Sequence, residues 1–175
     1  MNEYGRQIGP AKLAFDRRFE APIEKVWQFL VDPEKRKLWF CGGSTGDQVG
    51  ADIVFEFDHR RLSQIEPPEK YATEEVVTHF GKILEYDPPR RLAFTWFESA
   101  GAESSTVEIN LTSNRDGSTE LALVHTGVEG RDMLVGVLAG WHGHFDLMAE
   151  VLVGDRKSDF WVRDQELEAL YEERV

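Results

Sequence analysis

Histidines are the side chains of this sequence best suited to acid–base chemistry near neutral pH, and His125 is the first of the 5 to consider. Leu121, Leu123 and His125 alternate along a predicted strand, so all three lie on one face of the sheet. An inward imidazole at this position either orients a polar ligand group or moves a proton. The alternative is a core histidine satisfied by backbone or water. His79 shares the parity of Val77 and has no predicted partner.

A metal site is the second kind of chemistry that histidines suggest. His142 and His144 are two residues apart on a predicted helix, so their side chains point about 200° apart and cannot bind one ion. His142 and Asp146 are one helical turn apart and are predicted to form a surface pair. Because no third ligand follows at a suitable spacing, the sequence predicts no metal and no cofactor.

The single cysteine, Cys41, excludes an internal disulfide and is typical of a reducing cytoplasm. It opens a flexible, glycine-rich turn that ends at Gly46 and reads CGGSTG. This stretch lacks the lysine of a phosphate-binding loop, and it is not flanked by the strand before and the helix after that such a loop requires. The turn is therefore not predicted to bind a nucleotide.

The charge of the chain excludes several classes of partner. A formal net charge of −12 over 175 residues repels nucleic-acid phosphates and anionic membranes, and no cluster of Lys and Arg offsets it. No apolar run approaches the roughly 20 residues that a membrane span needs. Met1–Pro10 has no secretory pattern. We therefore expect a soluble cytoplasmic protein.

The element that positions the candidate side chains is a helix predicted over Leu138–Gly154. Large apolar residues recur along it at helical spacing and form one stripe. They are Leu138, Trp141, Phe145, Met148 and Leu152. Gly154 is the residue expected just beyond a helix end.

Before this helix the sequence predicts one strand, two short helices and about five further strands. The predicted strands are Lys12–Glu20, Asp52–Phe57, Glu75–Tyr86, Arg91–Phe97, Val107–Leu111 and Leu121–His125. The short helices surround Val26 and follow Asp32-Pro33, where Asp caps a helix and Pro fits its first turn. Between the second and third strands, Arg60–Lys70 is a polar loop of unusual length. Strands grouped in sequence favour an antiparallel sheet with helices on one face, an α+β fold.

The tail, Asp155–Val175, predicts an additional amphipathic helix that carries Trp161 and Leu167 among many acids. The long helix has a second apolar face, formed by Leu147 and Val151, which needs its own covering. Either the tail docks there, which we favour, or a second copy of the chain does.

Four segments resemble the helix-grip superfamily, also called START-like or SRPBCC. They are Phe19–Trp27 (FEAPIEKVW), Gly81–Leu92 (GKILEYDPPRRL) with Thr95-Trp96, Leu123–Gly127 (LVHTG) and Gly140–Phe145 (GWHGHF). The last three are similar to the branch related to the activator of the ninety-kilodalton heat-shock chaperone's ATPase. The resemblance implies that residues 11–154 form a curved antiparallel sheet of about seven strands around the long C-terminal helix. Two short helices would close one end, and residues 155–175 would be an extension.

The resemblance also implies a cavity between the bent sheet and the long helix. The residues expected to line it are Trp39, Phe55, Phe57, Phe80, Phe94, Trp96, His125, Trp141, Phe145 and Met148. The alternative is that these aromatics fill the core completely and contribute only stability.

A small hydrophobic or amphipathic molecule is therefore the expected ligand, with His125 orienting its polar group. Two other functions remain open, because one fold supports several activities. One is a protein-interaction module associated with a chaperone. The other is a cyclase-type or hydrolase-type enzyme that uses His125 in the cavity.

Overall fold

The computed structural model describes residues 4–72, 76–96 and 105–175 of the chain. Its strands are β1 (Arg6–Gly9), β2 (Lys12–Phe19), β3 (Asp52–Phe57), β4 (Val77–Asp87), β5 (Arg91–Trp96), β6 (Ser105–Ser113) and β7 (Thr119–Thr126). Its helices are α1 (Ile23–Val31), α2 (Pro33–Arg36), α3 (Arg131–Val153) and α4 (Phe160–Glu172), with single 3-10 turns at His59–Arg61 and Glu69–Tyr71. Two predicted strand ends, Glu75 and Phe97, lie outside the described residues.

The strands form one antiparallel sheet of 7 strands in the order β1-β2-β7-β6-β5-β4-β3. This arrangement, with the long C-terminal helix and the short helices after β2, confirms the predicted α+β helix-grip fold. Sequence reasoning missed β1 because its four residues, RQIG, are too few to show an alternation. The strand lies before residue 11, where the predicted domain begins, and pairs with β2 through Arg6 opposite Ala14 and Gln7 opposite Leu13.

The long helix α3 begins at Arg131, two turns before the predicted start at Leu138. The residue before it, Gly130, has φ 84° and makes no side-chain cap, so the usual start signal is missing. The predicted stripe is buried along its whole length. Gly154 ends the helix in the left-handed conformation, at φ 74°, which glycine adopts without strain.

The middle of the layer between the sheet and α3 is filled by aromatic side chains. Phe145 meets Phe15 and Phe19 of β2 edge-on, with ring centroids 5.8 and 6.1 Å apart. It also stacks on Trp141 at 5.4 Å and on Trp39 at 6.1 Å. Burial of this cluster stabilises the grip of the sheet on the helix.

Arg36, at the end of α2, fixes the glycine-rich turn that was predicted to be flexible. Its buried guanidinium donates to the carbonyl oxygens of Cys41 (3.2 Å), Gly42 (2.9 Å) and Val54 (2.9 Å). The turn is thereby held along β3. Burial raises the pKa of the Cys41 thiol to about 12, so the thiol stays protonated and unreactive at neutral pH.

The C-terminal helix α4 packs on α3 and buries Trp161 and Leu167. At its end, the hydroxyl of Tyr171 accepts from the backbone N–H of Gly5 (2.7 Å) and forms a hydrogen bond with Nδ1 of His142 (2.9 Å). The far nitrogen of His142 lies 3.7 Å from Asp146.

Asp146 also accepts from Arg17 of β2 (2.6 Å) and from Arg163 of α4 (2.8 Å). His142 and Asp146 are therefore close, as predicted, but the prediction that they pair at the surface is wrong, since α4 covers this side of α3 and leaves His142 buried. Among the described residues, no helix combines the length and apolar character needed to cross a membrane.

Candidate functional site

A cavity of about 620 Å³ lies beside the first half of α3, bounded by α4, the ends of β3 to β5 and the segment between β3 and β4. Its aromatic and imidazole rings are Phe40, Phe57, His59, Tyr71, His79, Trp96, Trp141, His144, Phe160 and Trp161. Its other lining residues are Asp58, Arg60, Pro67, Lys70, Ala72, Val77, Asp132, Met133, Gly136, Val137, Gly140 and Asp164. The cavity is thus mostly aromatic, with a few charged groups at its rim and on one wall.

Two glycines on α3, Gly136 and Gly140, create the space. Met133, Gly136, Val137 and Gly140 follow one another at intervals of three or one, so they share one face of the helix. A Cβ built on Gly140 would meet nothing within 4 Å, and one on Gly136 would lie 3.4 Å from the Tyr71 hydroxyl. The backbone of α3 therefore forms part of the wall directly, without side chains in between.

Stacked rings build the inner end of the cavity. Phe40, which follows α2, stacks on Trp141 at 5.2 Å and on Trp96 at 5.9 Å. Phe57, at the end of β3, stacks on His59 at 5.6 Å. These flat surfaces suit an apolar or aromatic ligand body.

Two imidazoles, His59 and His144, meet at the cavity wall with their Nε2 atoms 3.3 Å apart. The Nδ1 of His144 lies 2.7 Å from the carbonyl oxygen of Trp39, which can only accept, so Nδ1 carries the proton. Nε2 of neutral His144 is then the acceptor and His59 donates to it.

Burial lowers the pKa of His59 to about 4, and burial together with the neighbouring His59 lowers the pKa of His144 well below its usual value. The pair is neutral at physiological pH.

His125 does not line the cavity. It is hydrogen-bonded to Trp141 directly and to Trp96 through Ser105, and both of these tryptophans line the cavity. The Nε1 of Trp141 donates to His125 Nδ1 (3.1 Å), so His125 Nε2 carries the proton and faces the Ser105 hydroxyl (3.3 Å). Ser105 in turn donates to the carbonyl oxygen of Trp96 (3.0 Å). Both ring nitrogens are occupied within the chain, and burial lowers the pKa of His125 to about 4. The expected role of orienting a ligand group directly is corrected to positioning Trp141 and the end of β5.

Asp164 of α4 is the most unusual polar group of the cavity. Its side chain lines the wall, it is only 4% exposed, and none of the described residues donates a hydrogen bond to it. Burial, aided by the nearby charge of Glu168 and opposed by Lys70, raises the pKa of Asp164 to about 7. The indole Nε1 of its neighbour Trp161 is buried and, within the described part of the chain, has no hydrogen-bond partner.

The structure brings only part of the predicted site to the cavity. Phe57, Trp96 and Trp141 line it. The remaining inward residues are buried in the packed core instead: Trp39, Phe55, Phe94, His125, Phe145 and Met148. The space lies at one end of α3 because the centre of the layer, where these residues meet, is full.

Phe80 is corrected to the outer face of the sheet, where it is 60% exposed. On β4, Gly81 and Ile83 face inward, so Phe80 between His79 and Gly81 must face outward. The inward position next to Phe80 belongs to Gly81. A Cβ there would collide with the backbone oxygen of Thr95, so only glycine fits. His79 has the inward parity and lines the cavity.

Sequence reasoning missed the residues that α4 and the segment after β3 contribute. His59, Tyr71, Phe160 and Asp164 are far apart in sequence, and only tertiary packing brings them together. The available signal was the unusual length of the polar segment before Lys70, which is typical of a functional loop. Over the described ranges, no group of three or more His, Cys, Asp or Glu side chains is arranged to hold a metal ion.

Comparison with known proteins places the chain in a family context. The family model "Activator of Hsp90 ATPase homolog 1-like protein" matches residues 20–153. No curated protein sequence matches the chain.

Several solved structures have a similar fold. The protein encoded by gene BPP1335 from Bordetella parapertussis is 31% identical, with a TM-score of 0.81 over 99% of this chain and 91% of that one. CalU16 from Micromonospora echinospora is 25% identical, with a TM-score of 0.66 over 97% and 93%. Protein CV1439 from Chromobacterium violaceum, 22% identical with a TM-score of 0.66 over 83% and 100%, shares the fold.

Proposed function

The chain belongs to the Activator of Hsp90 ATPase homolog 1-like family, as its sequence predicts, and on this premise we propose that it binds a small molecule with a mainly apolar body. The proposed binding site is the cavity between α3, α4 and the ends of β3 to β5. One observation carries the proposal: a space of about 620 Å³ is walled by stacked aromatic rings. Ligand sites are typically about 300–1,000 Å³, mostly apolar, with few polar groups.

The positions of the polar groups also support a ligand site. His125 has both nitrogens engaged and keeps Trp141 and Trp96 fixed in the wall. A pre-formed wall binds with less loss of side-chain freedom than a mobile one. The glycines of α3 leave room that a packed helix face would fill.

Gly140 allows a matched pair of variants to test the proposal. Gly140→Ala adds one methyl group in open space and should retain binding. Gly140→Leu projects a branched side chain into the same space and should abolish binding without unfolding the protein. Binding is measured by isothermal titration with 1-octanol and 1-naphthol as probes. If neither probe binds the wild-type chain, or if both bind Gly140→Leu as tightly as Gly140→Ala, the proposed cavity site is wrong.

Interaction with a chaperone is the second candidate function. The family description and the exposed Phe80, next to Val54 on the outer face of the sheet, favour it. This surface lies on the opposite face of the sheet from the cavity. Stimulation of a chaperone ATPase that Phe80→Ser abolishes and Gly140→Leu leaves intact would support the second candidate; the reverse pattern would count against it.

A further inference from the structure

The charged side chains around the cavity do not balance. Lys70 pairs with Glu168 at 2.6 Å, and Arg60 pairs with Asp58 at 2.7 Å. Two lining acids remain without an ion pair in the described part of the chain: Asp132 and Asp164. Asp132 is exposed at the rim, where solvent screens its charge, whereas Asp164 is buried in the wall.

A buried acid without hydrogen-bond donors is uncommon, because removing a carboxylate from water is unfavourable unless something replaces the water. Asp164 lines a space large enough for a ligand. A group that donates hydrogen bonds and carries positive charge would satisfy the carboxylate of Asp164.

The rings next to Asp164 also suit a cation. Trp161 stacks on Tyr71 with centroids 5.3 Å apart and an angle of 14° between the rings. The ammonium of Lys70 already lies 4.8 Å from the centre of the Tyr71 ring. Aromatic faces attract cations, and the attraction strengthens when water is excluded.

From these observations we propose that the cavity selects ligands in which a protonated amine is attached to an apolar body. The amine forms an ion pair with Asp164, and the apolar body lies against Phe57, Trp96 and Trp141. This inference rests on the proposed function, since it names the class of ligand for the same cavity. It also assigns the selecting residue to α4, which lies beyond residues 20–153 that match the family model.

Three probes with the same eight-carbon body test the inference: octylamine, 1-octanol and octanoate. Binding to the full chain is measured by isothermal titration at pH 8 and 0.15 M salt, where Asp164 is ionised and the amine is protonated. We expect octylamine to bind at least about tenfold more tightly than 1-octanol, and octanoate to bind most weakly.

Asp164→Asn keeps the shape of the side chain and removes its charge. We expect it to lower the affinity for octylamine to that for 1-octanol and to leave the affinity for 1-octanol within about twofold of wild type. Glu173→Gln is the charge-matched control, because it removes one acid from the exposed end of α4, away from the cavity. It should keep the full preference for octylamine.

The outcomes separate the two proposals. Equal affinities of wild type for octylamine and 1-octanol would overturn the amine preference and leave the cavity function standing. Equal losses in Asp164→Asn and Glu173→Gln would overturn it too, since they would indicate attraction to the acidic surface in general. If none of the three probes binds, the amine preference fails, and the cavity function fails with it if 1-naphthol does not bind either.

Discussion

At the scale of single residues, Asp164 links the cavity to stability. The pKa of Asp164 is about 7 in the folded chain, against 3.8 in the unfolded chain, so the folded chain keeps this proton to a higher pH. The folded state therefore binds more protons between these values, and this group lowers stability as pH rises from about 4 to 7.

We expect Asp164→Asn to stabilise the protein increasingly over this range. The gain should be small near pH 4, reach a few kcal/mol near pH 7, and stay constant above. Urea unfolding at several pH values measures it, with Glu173→Gln as control. A gain that is independent of pH would contradict the buried, ionisable Asp164 described above.

His125 is the second residue whose role can be tested by itself. His125→Leu removes the acceptor for Trp141 Nε1 and the donor to Ser105 while keeping an apolar side chain in the core. Leaving a buried donor unsatisfied costs about 1–3 kcal/mol, so we expect a loss of that size or somewhat more.

Ser105→Ala is the matched control for His125→Leu, because it interrupts the same chain of hydrogen bonds at its outer end and leaves the bond to Trp141 intact. We expect a loss of about 1 kcal/mol or less from it in urea unfolding. Equal losses in the two variants would show that the bond to Trp141 contributes nothing.

At the scale of elements, α4 is both a covering for α3 and a wall of the cavity. We propose that this docking within one chain persists in solution, so that a monomer covers α3 without a second copy of the chain. Leu167→Ala, at a residue 1% exposed on α4, should then destabilise the chain by about 2–5 kcal/mol without changing its oligomeric state. Unfolding in urea and sedimentation velocity measure the two effects.

Val162→Ala, on the exposed side of the same helix, should change stability by less than about 0.5 kcal/mol. A dimer of the wild-type chain that dissociates on Leu167→Ala would contradict docking within one chain. It would instead support a second copy as the covering of α3.

Gly140 gives the corresponding test for α3. A glycine inside a helix is destabilising by about 0.5–1 kcal/mol relative to alanine, and a methyl group here meets no neighbour. Gly140→Ala should therefore raise the free energy of unfolding by about that amount in urea. Gly136→Ala is the comparison, because its methyl group lies 3.4 Å from the Tyr71 hydroxyl and should gain less. Destabilisation by Gly140→Ala would mean that the space beside the helix is smaller than described.

The elements also show what the sequence could predict and where it failed. The apolar stripe from Leu138 to Leu152 and the strands with a clear alternation were readable, because burial on one face imposes a period. The first two turns of α3, from Arg131 to Val137, were not, since a helix face that lines a cavity, here with Gly136, carries no apolar period. Phe80 was misplaced because Gly81, which takes the inward position, has no side chain to reveal the parity of β4.

The cavity itself could not be located from sequence for a further reason. Local patterns predict which face of a helix or strand is buried. Tyr71, Phe160 and Asp164, however, reach the cavity wall only through the docking of α4 and the path of the segment before β4. Aromatic residues such as Phe55 and Phe145 have the same pattern whether they fill a core or line a space.

At the scale of the whole molecule, the pH dependence of stability is dominated by imidazoles that are buried in neutral form on several elements. Burial lowers the pKa of His59, His125 and His142 to about 4, and it lowers that of His144 well below the ordinary value of 6.5. Between about pH 4 and 6.5 the unfolded chain therefore binds more protons at these sites than the folded chain does. Their contribution to stability is complete above 6.5 and is lost as pH falls.

We therefore expect the free energy of unfolding to fall by several kcal/mol between pH 6.5 and about pH 4.5, because several histidines outweigh the opposite trend of Asp164. Asp164→Asn removes that opposing trend, so its loss over the same interval should be steeper than that of wild type. Urea unfolding of both chains across this interval gives the two slopes. Wild-type stability that is constant or higher at pH 4.5 would mean that the folded chain protonates these imidazoles as readily as the unfolded chain does, and the lowered pKa values of the buried histidines would then be wrong.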